Sequence, residues 1–198
     1  MLQSLMTELD ATLTNASGAR RLSILQGVTD LLLEHADVFS AEHVAVFDDV
    51  ISRLIKGTDE AALAELSRTL VPLGNPPLST VAALAGHDSI AVAGPLLEKS
   101  AALTDETLAA IAESASHKHL LLLATRAGLG EQVTDILVER GNAEIAARLA
   151  ANPGAKLSEL GFVKLINRAK TDVALAGTIA ARTDIPPELE PFLKLTLV

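Results

Sequence analysis

The residues able to do chemistry are few, and their spacing is unhelpful to it. There are five histidines, His35, His43, His87, His117 and His119. His117 and His119 lie two apart on an expected helix, so their rings point about 200° apart and cannot easily share a metal. His119 lies four residues before Leu123, on a core-facing stripe, and is expected to be a hydrogen-bonded structural histidine or a pH-sensing switch. The neighbours Glu42 and His43, like Asp48 and Asp49, diverge on a helix and form no paired acid and base. With no Cys in the chain, thiol nucleophiles, thiolate metal sites and disulfides are excluded. Leu120 to Val133 imitates an apolar strand running into the first two glycines of a dinucleotide loop, Gly128 and Gly130, but Val133 stands where the third glycine belongs. Phosphate-loop, nucleophile-elbow and zincin patterns are absent. The expectation is a protein that is not an enzyme, with no catalytic residue, cofactor or metal.

The elements that would position any site come next. The 198 residues are 49% hydrophobic and only 2% aromatic, with no Trp or Tyr. That apolar share is too high for a disordered chain. The mean hydropathy is +0.35, yet the longest clean apolar stretches, Ile90 to Leu97 and Leu120 to Ala124, fall far short of the ~20 residues a membrane span needs. Glu8 and Asp10 near the start, with no basic segment ahead of an apolar run, do not make a secretory signal, so a cytoplasmic location is expected. The net charge of -9 is uneven: residues 1–104 hold 6 basic and 13 acidic side chains, residues 105–198 hold 10 and 12. The acidic front reads as a solvated helix face, with a basic partner as the sharper alternative.

Residues 1–18 are read as a frayed helix or flexible tail ending in Asn15-Ala16-Ser17-Gly18. A helix is expected from near Ala19 to Ala36 on the stripe Leu22, Leu25, Val28, Leu32 and Leu33. Ser40 should cap the next, built on Val44, Phe47, Val50, Ile51, Leu54 and Ile55. Gly57 should close it, and Thr58 should cap a third helix running to about Leu70.

From Leu70 onward the chain repeats. Leu97-Glu98-Lys99-Ser100, Leu123-Ala124-Thr125-Arg126, Leu149-Ala150-Ala151-Asn152 and Ile179-Ala180-Ala181-Arg182 recur at 26, 26 and 30 residues, with a weaker copy at Leu70. Leu103, Leu129 and Ile185 follow six residues after three of these anchors. Leu157 follows eight after Leu149, as Leu78 does after Leu70. Each unit holds two short helices unable to bury their stripes alone, so neighbours must stack. The reading is all-α: a HEAT-like α-solenoid of short helix pairs in a right-handed superhelix. It forms one repeat domain over 19–198, with N-terminal helices in 19–70 and short repeats in 71–198. Pro95 falls inside an expected helix and must start it late or kink it.

Ile90-Ala91-Val92-Ala93-Gly94-Pro95-Leu96-Leu97 with Ser100 and Leu103-Thr104-Asp105 resembles the hallmark of a bacterial family of uncharacterised proteins, a domain of unknown function with HEAT-like helical repeats. Phe47-Asp48-Asp49-Val50, His119-Leu120-Leu121, Val133 to Gly141, Asn152-Pro153-Gly154-Ala155 and Gly161-Phe162 are similar to it as well. The resemblance covers roughly residues 20–195 and implies the helical fold but no activity. Members of that family are often longer, so a C-terminal part is expected to be missing after Leu195-Thr196-Leu197-Val198.

The position three residues after each anchor holds Ser100, Arg126, Asn152 and Arg182. In stacked repeats these align as a polar row, either presenting forked donors to a partner or satisfying carbonyls at helix ends. The functional expectation is a non-catalytic interaction or scaffolding module that binds a protein or peptide along the solenoid, with a homodimer through the C-terminal helix as one form. Nucleic-acid or nucleotide binding is the alternative. It would draw on Arg126, Arg140, Arg148, Lys156, Lys164, Arg168, Lys170 and Arg182, but nearby acids balance them and make nucleic acid the weaker partner.

Overall fold

Short polar side chains set where the helices begin. Ser17, Ser40, Asp59, Ser89, Thr104, Asn142, Ser158 and Asp172 each accept a hydrogen bond from a backbone N–H in the first turn that follows, satisfying donors the helix cannot satisfy itself. The computed structural model describes residues 17–197, which form twelve α-helices and no β-strand. The fold is all-α. The expected tail lies outside the described residues up to Ala16, and Ser17 already caps the first helix.

In chain order these are α1 (Gly18–Glu34), α2 (Ala41–Leu54), α3 (Glu60–Leu70), α4 (Leu78–Ala85), α5 (Ile90–Lys99) and α6 (Asp105–Ser114). They continue with α7 (His117–Leu123), α8 (Glu131–Arg140), α9 (Ala143–Ala151), α10 (Glu159–Ala169), α11 (Val173–Ala180) and α12 (Glu190–Thr196). Ser40 caps α2 as expected, with the His43 ring closing a capping box. Gly57 turns the chain at φ +80°, a conformation that suits glycine. The third helix is capped one residue later than expected: Asp59 Oδ1 accepts from Ala62 N at 3.0 Å, while the Thr58 hydroxyl turns back to Leu54 O at 2.8 Å. Pro95 sits in the interior of α5 without ending it.

The described chain divides into two compact units, residues 17–96 with 100–103, and residues 97–99 with 104–197. In the first, α1 packs on α2, α2 on α4, and α3 on α4. A ring stack of His35, Phe39, His43 and Phe47, with centroids 5.1–5.5 Å apart, fills the corner between α1 and α2. In the second, α6, α8, α10 and α12 pack each on the next, and α7, α9 and α11 do the same, giving two rows. Cross-packing of α8 on α9, α10 on α11 and α11 on α12 joins them.

The anchors Leu70, Leu97, Leu123, Leu149 and Ile179 are all fully buried. Of their followers, Leu103, Leu129 and Leu157 are buried too, while Ile185 is only half-buried. The weaker copy departs from the pattern, because Leu78 is 60% exposed and Pro76 and Pro77 are buried beside it instead. Prolines fill that seat without needing a backbone donor, which a turn entering a helix would waste.

Candidate functional site

The polar row is the natural place to look for a site. Arg126, Asn152 and Arg182 follow the ends of α7, α9 and α11, and each reaches back to the helix end of the preceding repeat. Arg126 Nη1 donates to Leu97 O at 2.8 Å. Asn152 Nδ2 donates to Ala124 O at 2.9 Å and Arg126 O at 2.8 Å. Arg182 donates through Nη1 to Ala150 O at 3.2 Å and Asn152 O at 2.9 Å, and through Nη2 to Ala155 O at 2.8 Å. Consecutive members are thus joined, the backbone of one accepting from the side chain of the next. The last carbonyls of a helix have no intrahelical partner, and a guanidinium fork or an amide supplies one with the charge sign the helix C-terminus favours.

Arg126 is only 8% exposed. Burial pushes its guanidinium below the ordinary arginine value while the Asp105 carboxylate pulls it back up. Arg182 also lies over the Phe162 ring, 5.7 Å from its centroid, and pairs with Asp184 at 2.7 Å. That bond, ahead of the opposing effect of partial burial, holds the Asp184 carboxyl below the usual carboxylate range. Ser100 falls in the other compact unit. It is buried at the end of α5, and its hydroxyl accepts from Ala102 N at 3.4 Å. The row is a set of stitches between successive repeats, with its donors turned inward.

A second row escaped the anchor pattern. Arg140 at the end of α8 donates to Ala112 O and, at 3.0 Å, to Ala115 O. Arg168 at the end of α10 donates to Gly141 O at 2.8 Å and Val138 O at 2.6 Å. These arginines are 28 residues apart, a repeat length, so the signal was present in the spacing of basic residues in the other row.

The turns between repeats are joined as well. Leu129 N donates to Gly154 O at 3.0 Å and Lys156 N to Leu129 O at 2.9 Å, a single parallel bridge between the turns after α7 and α9. A Cβ on Gly154 would come within 2.9 Å of Gly128 N. Gly128 has φ +72° and Gly130 caps α8, so the glycines that imitate a dinucleotide loop make a turn between two helices, as the repeat register requires.

Asp48 is a further residue whose role the sequence did not reveal. It stands mid-way along α2, 9% exposed. Its carboxylate accepts from Ser79 N and Thr80 N at 2.8 Å each and from Thr80 Oγ1 at 2.7 Å. The residue at the α4 cap position is Pro77, which has no side-chain hydrogen bond to give, so Asp48 supplies the cap from another helix. Burial alone would raise its pKa, but the hydrogen bonds from Ser79 and Thr80 outweigh it and hold the carboxyl below the ordinary 3.8. Its neighbour Asp49 points elsewhere and pairs with Arg53 at 3.2 Å.

The histidines serve local geometry. His43 closes the α2 capping box, His87 Nδ1 accepts from Ser89 N at 3.0 Å, and His119 is buried with Nδ1 2.6 Å from Ser116 Oγ. His117 is exposed while His119 is buried, the divergence their spacing implies. Among the described residues no group of three or more His, Asp or Glu is placed to hold a metal. No helix among them is long and apolar enough to cross a membrane.

Comparisons with curated proteins and with solved structures find no match. A family model described as an uncharacterised protein conserved in bacteria, DUF2336, matches residues 92–190, which is half of the chain and takes in both stitched rows. The buried anchors from Leu97 to Ile179, the paired glycine turns and the carbonyl-capping arginines all fall within that span, and the chain belongs to the DUF2336 family.

Proposed function

We propose that this chain is a cytoplasmic, non-catalytic scaffold, a HEAT-like α-solenoid that holds another protein against its stacked helices. The observation that carries this reading is the outer face of α12. Phe192 and Leu195, one helical turn apart, are 57% and 76% exposed. Their helix packs on α10 and α11 at the end of a row. Apolar side chains set one turn apart on the outer face of a helix invite a further helix. The partner is a protein that contributes such a helix, a second copy being the simplest source.

The nucleic-acid alternative loses much of its motivation at Arg126, Arg140, Arg168 and Arg182, whose donors serve carbonyls of their own unit. Lys164 pairs with Glu139.

A Phe192→Asp/Leu195→Asp double variant tests the proposal, with light scattering for self-association and affinity capture for other partners. The expected result is that the wild type associates and the variant, with unchanged helicity, does not. Equal mass and equal capture for both proteins would remove α12 as the binding face.

A further inference from the structure

Two successive repeats close their helix ends at matching positions. Counted from the anchors Leu123 and Leu149, the carbonyls one and three residues on belong to Ala124 and Arg126, and to Ala150 and Asn152. Asn152 donates to the first pair at 2.9 and 2.8 Å, and Arg182 to the second at 3.2 and 2.9 Å. From the anchor Ile179 the same count reaches Ala180 and Arg182. Among the described residues no donor meets either of these carbonyls. The helix that follows, α12, extends the other row. Its Thr196, 28 residues after Arg168, turns its hydroxyl back to Leu193 O at 2.6 Å.

A cavity of about 500 Å³ is lined by the same two residues. Ile185, Leu193 and Leu197 give it apolar walls, and Glu190 and Lys194, paired at 3.3 Å, also line it. We infer that this cavity seats an arginine of the protein that docks on α12. The inference rests on the reading of α12 as a docking face and adds what the partner must carry, a helix with an arginine just past its end.

The chemistry is what Arg182 already does at the end of α9. There a guanidinium meets backbone carbonyls, the Asp184 carboxylate and the Phe162 ring. At the end of α11 the carbonyls of Ala180 and Arg182, the Glu190 carboxylate and three aliphatic side chains offer the same kinds of surface. A helix C-terminus favours positive charge, and a guanidinium fork serves two carbonyls where an ammonium acts as a point. The apolar walls suit the stem of the side chain, which packs on such surface while its charged head finds polar partners. Lys194 is 74% exposed, so Glu190 exchanges one cation for another at little cost.

The test uses the full chain, isotope-enriched, and as probe a synthetic peptide with the sequence of residues 172–186. That peptide carries the apolar stripe of α11 together with Arg182, the segment that closes the end of α9. The carbonyl carbon signals of Ala180 and Arg182 in the full chain should move downfield as the peptide binds. Arg182→Ala in the peptide should weaken binding at least tenfold, because bonds from a charged donor are lost, and Arg182→Lys should fall between. In the full chain, Ala180→Trp fills the cavity and keeps Phe192 and Leu195, and should abolish binding with helicity unchanged. Carbonyl signals that stay in place, or equal binding of the arginine and alanine peptides, overturn the inference. Binding that survives Ala180→Trp but is lost in Phe192→Asp/Leu195→Asp removes the arginine seat and leaves α12 as the docking face. Binding that survives in both variants removes both.

Discussion

At the scale of single residues, several of the charged side chains that are buried or half-buried finish helices. Asp48 is the sharpest case, since one carboxylate replaces the cap that Pro77 cannot give. Asp48→Asn leaves one acceptor and turns an amide N–H toward the Ser79 N–H, so it should lower stability by about 1–3 kcal/mol, read as a fall in Tm. The pH dependence has a definite sign. The folded carboxyl titrates below the unfolded value of 3.8, so its contribution is present above that pH and is lost as pH falls through the folded pKa. The wild type should therefore lose stability below about pH 4 more steeply than Asp48→Asn, in denaturant titrations across that range. Arg182 is the second case: Arg182→Ala uncovers carbonyls at the end of α9 and in the turn that follows it and should cost about 2–3 kcal/mol. Arg182→Lys should recover only part of it, because a point charge cannot reproduce the fork. Amide exchange in the last turn of α9 should rise in both variants. Two readings of the polar row were legible in the sequence; choosing between them needed the direction of the side chains, which residue type and spacing leave open.

At the scale of elements, the sequence marks starts better than it marks neighbours. Ser40 and the end of α3 at Leu70 were plain, because caps and apolar stripes are local signals. The shift from Thr58 to Asp59 turned on two adjacent residues that can both cap, and the local pattern does not rank them. Leu78 misled because the repeat register implied burial, whereas Pro76 and Pro77 take the space. Glycine positions show how closely the elements approach. A Cβ on Gly141 would meet Leu137 O at 2.4 Å and Ile145 Cγ2 at 2.6 Å. Gly141→Ala should therefore destabilise the turn between α8 and α9 by about 1–3 kcal/mol, again as a drop in Tm. The same substitution at Gly27, where nothing lies within 4 Å, should be neutral or stabilising, because it replaces a glycine inside a helix.

At the scale of the whole molecule, all-α folding and periodic burial were legible in the 26- to 30-residue spacing of Leu97, Leu123, Leu149 and Ile179. The division into two units near residues 97–104 was not, since the anchor pattern runs through it without interruption. If the basic residues are spent inward, duplex DNA should show no salt-sensitive binding at low ionic strength, which a fluorescence titration checks. The stitches also have a direction. Every arginine and asparagine in the two rows lies downstream of the carbonyls it serves, by 25 to 33 residues. On a ribosome adding roughly 5–20 residues per second, each helix end thus waits on the order of seconds for its donor to be made. During synthesis the newest helix end is open to water while those behind it are closed, so the order of assembly is written into the direction of the bonds.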